Sequence, residues 1–244
     1  MGSNTASVAL IGVDIANEGF TYESGVRGHF WRGDLVRPPA RGAAPRRSQP
    51  TIPVARARAK VDILDRLGRT EDAQAVRWLM FTTSLSAGIL DEYLGRLPEV
   101  VVAEARQRAI ATACRHPDVH QSLHLLAELC PDIAADLVHK RLSEIRGDAY
   151  FVLRPVAGRL TQSHPVAAIL LYRRMADAVL RHGQSPHYDH AVRDLVAAER
   201  LVPNVEDWLG HPPQEAYRQQ VATVHRQKRA FWERMGRAGL SWRR

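Results

Sequence analysis

The chain has 244 residues, of which 45% are hydrophobic and 25% charged, a balance that supports one or two folded domains and excludes a wholly disordered chain. With 16 glycines, 14 prolines and two cysteines, collagen-like, low-complexity and disulfide-framework classes fall away, and the two thiols fit a reducing cytoplasm. The net charge of +8 invites a nucleic-acid reading that its distribution weakens, because the excess sits in residues 37–58 and 216–244 while residues 59–215 carry 18 basic and 21 acidic groups.

In chain order, residues 1–36 hold one apolar run, Ser7 to Ile15, that reads as a short buried strand. A lone strand has no partner for its backbone groups, so poor order is expected there. The segment has no basic n-region and meets Asp14 too early for a secretory signal, and no run in the chain approaches the roughly 18 apolar residues of a membrane helix. A cytoplasmic protein without a membrane span is the expectation. Gly12 and Asp14 faintly resemble the first phosphate loop of actin-like ATPases, but Ala16 and Asn17 stand where that loop would supply glycine.

Residues 37–58 contain five prolines and six arginines, the composition of a flexible linker, since proline removes backbone donors and arginine repulsion extends the chain. Residues 1–56 are therefore expected as a poorly ordered segment, 57–236 as a helical-repeat domain and 237–244 as a basic tail.

Helical periodicity then predicts Ala59–Leu67, Glu71–Thr82, Ile89–Leu97, Glu99–Cys114, Asp118–Leu129, Asp132–Arg146 and Tyr150–Thr161. The clearest helix is Pro165–His182, with Ile169, Tyr172, Met175 or Ala176, and Val179 on one face and Arg173 and Arg174 on others. Gly183 suits a left-handed stop, and Ser185 and Pro186 read as the cap and first turn of a helix that ends before Pro203. Tyr217, Val221, Val224, Phe231 and Met235 form one stripe of a long terminal helix, expected to cover the last apolar face.

Pro98, Pro131 and Pro165 each open a predicted helix at intervals of 33 and 34 residues, the length of a helix-turn-helix repeat. The expected fold is all-α: stacked antiparallel hairpins in a tetratricopeptide-like, right-handed solenoid, with an irregular helical bundle as the alternative.

Three strings, HPVAAILLYRRMADAVL from His164, YDHAVRDLVAAERLVPNVEDW from Tyr188 and KRAFWERM from Lys228, resemble the C-terminal region of an uncharacterised bacterial family whose longer members sometimes carry a SWIM-type zinc finger ahead of it. The resemblance implies a tetratricopeptide-like helical array and no reaction. A SWIM finger needs a Cys-x-Cys pair and a later Cys-x-His, and Cys114 and Cys130 cannot supply them. The chain thus reads as a shortened or rearranged member.

Two sets of residues are candidates for chemistry. Cys114, His116, His120, His124 and Cys130 are the densest group of metal-ligand types, with His120 and His124 on one helical face, but their spacing matches no zinc pattern. His182, His187, Asp189 and His190 lie at a turn, where an aspartate can orient a histidine, yet no nucleophile motif accompanies them. Neither a phosphate-binding nor a dinucleotide-binding glycine motif is present.

The sequence therefore points to a noncatalytic interaction module with no cofactor and no metal, taking a protein or peptide partner through Arg173, Arg174, His187, Tyr188 and Arg193. The rival readings are a nucleic-acid accessory protein and a metal-dependent enzyme. The first would use Arg41, Arg46, Arg47, Arg226, Lys228 and Arg229 for phosphates, and Trp232 and Trp242 for stacking beside Arg243 and Arg244. Oligomeric state is not legible.

Overall fold

A computed structural model describes residues 52–183 and 185–242. The run Ser7–Ile15, the linker before Ile52 with Arg41, Arg46 and Arg47, and Arg243 and Arg244 lie outside the described residues.

Among the described residues the chain is all-helical and has no strand. The helices are α1 (Ile52–Arg66), α2 (Thr70–Ser84), α3 (Ala87–Leu94), α4 (Glu99–Arg115), α5 (Val119–Leu129), α6 (Pro131–Lys140), α7 (Tyr150–Leu160), α8 (Pro165–His182), α9 (Tyr188–Leu201), α10 (Gln214–Val224) and α11 (Arg229–Arg237). None is long and apolar enough to cross a membrane.

Local rules set several boundaries. Asp118 caps α5, its carboxylate accepting the His120 and Gln121 amides at 2.9 and 3.3 Å. Pro131 and Pro165 begin α6 and α8, where a missing N–H costs nothing. Gly183 closes α8 at φ +67°. The first helix starts at Ile52 rather than Ala59, with Pro53 in its opening turn.

Elsewhere tertiary bonds override helix propensity. The expected Asp132–Arg146 helix stops at Lys140 and passes into a 3-10 turn at Leu142–Glu144. Arg141 there donates to the carbonyls of His116 and Pro117 at 2.8 and 3.1 Å, and Arg174 of α8 donates to the Leu142 carbonyl. Gly147 then passes so close to α8 that a Cβ would sit 1.9 Å from the Arg174 carbonyl oxygen. A continuing helix would forfeit that approach.

The single terminal helix is likewise two. The chain turns at His225–Lys228, the Trp232 indole donates to the His225 carbonyl at 2.9 Å, and α11 folds back so that Phe231, Trp232 and Met235 join Tyr217 and Val221 of α10 in one apolar cluster. Val224, placed in the stripe by periodicity, is instead 65% exposed.

From α1 to α9 consecutive helices pack on one another, and helices two apart also meet: α2 against α4, α5 against α7, α6 against α8, and α9 against α11. α8 touches α6, α7 and α9, so its residues from Val166 to Arg173 are all buried. Its first half belongs to a large core drawn from α1 to α7 and the end of α9, and its second half to a smaller core with α9, α10 and α11.

Candidate functional site

The helical wheel places Arg173 away from the main stripe of α8, but α8 is enclosed on several sides, and Arg173 is only 5% exposed. Its Nη1 donates to the Pro212 carbonyl at 2.7 Å, and its Nε and Nη2 both reach Gln214 Oε1. The guanidinium lies 4.9 Å from the Trp208 ring centre and 4.6 Å from that of Tyr217, a cation held between two aromatic faces. Burial pulls its pKa down to about 10.

Around it, Tyr217 donates to Asp177 at 2.7 Å, and Gln214 and Arg218 both donate to Glu199. Burial, with Asp177 alongside, pushes the Tyr217 hydroxyl well above its ordinary value, and burial raises Asp177 too. Burial works against the Glu199 carboxylate, yet its bonds from Arg218 and Gln214 hold it below its usual range. This node docks the 205–213 loop and α10 onto α8 and α9.

The expected partner-binding set therefore divides. Arg173 is consumed internally, half-buried Arg174 is bound to the Leu142 carbonyl, and Tyr188 is buried against Phe231 with its hydroxyl on the Gly183 carbonyl. These three corrections share one cause: α8 and the start of α9 are covered on several sides, so polar tips the core was expected to spare are needed to close loops. His187 is half-buried and stacked on His190, and Arg193 is exposed and bonded to His190.

What remains open is a face between α7 and α9. Arg154 of α7 reaches across to Asp194 of α9, Nη2 meeting both carboxylate oxygens at 2.8 and 3.0 Å. Asp194 is 2% exposed, and burial pushes its pKa up to about 6 although Arg154 opposes this. One turn before Arg154, Phe151 stands 78% exposed, its ring 4.1 Å from that of Tyr150. Arg193 and His190 flank the pair on α9, and burial with Arg193 and Arg154 nearby lowers the His190 pKa. Tyr150 and Phe151 are thus exposed at the start of α7, and Arg193 and His190 stand beside the Arg154–Asp194 bridge on α9. Two adjacent aromatics at a helix start were its sequence signal; the Arg154–Asp194 pairing, 40 residues apart, had none.

The candidate metal ligands do not converge. Cys114 and Cys130 are half-buried free thiols, His116 meets the Asp118 amide, His120 accepts the Arg146 amide at 3.0 Å, and His124 is exposed. Among the described residues no group of three or more His, Cys, Asp or Glu can hold a metal ion. In the second set, Asp189 pairs with Arg234 at 2.9 Å and His182 is exposed.

Of the residues assigned to nucleic acid, Arg226, Lys228 and Arg229 occupy the α10–α11 junction. Trp232 is buried, with its indole N–H bonded, and Trp242 packs edge-on against Tyr217 with Arg218 above it. Both rings are engaged in packing, because the smaller core needs them to cover α8.

No curated protein and no solved structure matches the chain. Residues 35–234 match a family described as a family of unknown function, DUF6880, and the chain belongs to that family.

Proposed function

We propose that this protein is a noncatalytic interaction module of the cytoplasm, built as a tetratricopeptide-like stack of antiparallel hairpins, that receives a peptide segment of a protein partner on its α7–α9 face. The observation that carries this reading is Phe151, an exposed large aromatic residue one turn before Arg154 on α7, because aromatic and arginine side chains dominate binding energy at protein interfaces. The side-by-side packing of α5 with α7 and α6 with α8 supports the stack, whose extended surface suits a peptide or helix. The test is affinity capture with the full chain and its Phe151→Asp and Arg193→Glu variants. A partner retained by the wild type and lost with both folded variants supports the site; retention by both removes it.

A second reading is nucleic-acid association, favoured by Arg226, Lys228 and Arg229, which have no carboxylate within ion-pair distance among the described residues. It requires binding that falls steeply with salt and that weakens when these three are changed to glutamine.

A further inference from the structure

The loop between α9 and α10 is fixed at both of its faces. Val205 and Trp208 pack on the large core, and the turn Trp208–His211 is closed by the His211 amide on the Trp208 carbonyl at 2.9 Å. Within that turn Leu209 and Gly210 both have positive φ, +51° and +77°. A leucine held there carries strain that persists only while the surroundings enforce it. On one side the enforcement comes from Arg173, through the Pro212 carbonyl and the Trp208 ring. On the other it comes from His211, whose Nε2 lies 2.9 Å from Nδ1 of His139 on α6, with the two rings stacked at 5.0 Å.

A hydrogen bond between two imidazole nitrogens needs one to donate and the other to accept, so at least one ring must be neutral. We propose that His139 and His211 form a proton-operated latch that holds the 205–211 turn on α6 while one ring is neutral and releases it when both are protonated. With both protonated, two N–H groups and two positive charges face each other at contact distance, and the bond has no acceptor.

The charges around the pair define its balance. Asp136, one turn earlier on α6 and 3.8 Å from Lys140, favours protonation of His139. His164 at the start of α8 opposes it, and is itself held by Asp132 at 2.8 Å. On the loop, the Asp207 carboxylate is occupied by the Leu209 amide at 3.0 Å, and Arg173 keeps its positive charge beneath Pro212. Burial and His211 together lower the His139 pKa, so the folded state takes up this proton later than the unfolded chain, and the latch is lost as pH falls below the ordinary histidine range. Arg173 does not titrate there, so the loop stays held at Trp208 and Pro212 and only the turn between them opens.

The experiment is hydrogen exchange on the full chain at about pH 7.5 and about pH 5, corrected for intrinsic rates. The expected result is a loss of protection of about tenfold confined to peptides covering 205–211, with α7 and α8 unchanged. His139→Gln and His211→Gln keep a donor and an acceptor without titrating, and each removes the pH dependence. Unchanged protection of the wild-type turn, or the same pH dependence in both folded variants, overturns the latch. Should the variants not fold, NMR titration of the wild type decides: the His139 ring titrates below the ordinary histidine range, and a His139 midpoint at the ordinary histidine value overturns the proposal.

Discussion

The two halves of α8 serve two differently built cores. The larger, from α1 to Met175, is mostly aliphatic, filled by leucine, isoleucine, valine and alanine side chains such as Leu123, Leu126, Leu153 and Ile169. The smaller, beyond Ala176, rests on Tyr188, Tyr217, Phe231 and Trp232, with Arg173, Arg218 and Arg234 placed over aromatic rings. The larger core's aliphatic stripes are supplemented by a few polar ties, buried Arg77 on Asp65 and Arg108 over the Trp78 ring among them. The C-terminal helices α10 and α11 are tied down largely by charged hydrogen bonds and ring contacts, which demand particular geometry.

The largest effect should come from breaking both regions at their shared helix. Gly147→Ala places a Cβ against the Arg174 carbonyl, a backbone contact that cannot yield, and should cost about 3 kcal/mol or more; urea unfolding should show the whole domain destabilised in one transition. Arg173→Met instead attacks only the C-terminal region. It strands Gln214 and the Pro212 carbonyl, costing about 3–4 kcal/mol, and limited proteolysis should cut the 205–213 loop first while α1–α7 stay protected.

The Arg154–Asp194 bridge tests how the two regions are joined across α7 and α9. Asp194 titrates near 6 in the fold against an ordinary 3.8. The folded state therefore holds a proton that the unfolded chain has lost across that window, and stability falls as pH rises through it. Relative to Asp194→Asn, the wild type should lose about 2–3 kcal/mol between about pH 4 and about pH 7; parallel pH profiles of the two urea midpoints would contradict a buried carboxylate. Smallest of all, Phe151→Asp should change stability by no more than about 0.5 kcal/mol, which makes it a clean probe of partner binding.

Periodicity located α8 from Pro165 to His182 and the left-handed stop at Gly183. It failed where the chain trades helix for long-range bonds, as at Leu142–Glu144 and His225–Lys228. The candidate site was the least legible part. Arg173 reads as a solvent-facing residue on the wheel of α8 because a wheel sees only its own helix, whereas the distant 205–213 loop and α10 fold over Arg173. His139 and His211 lie 72 residues apart, and no local pattern links them.

The amino-acid order by itself determined that the chain from Ala59 onward is helical and where most helices start and stop, because side-chain spacing and end signals act within one or two turns. Which polar groups lie inside, which aromatic residues are left on the surface and where two helices break were decided only when α8 was surrounded. Burial and hydrogen-bond satisfaction depend on every neighbour a side chain acquires, and those neighbours come from distant parts of the chain.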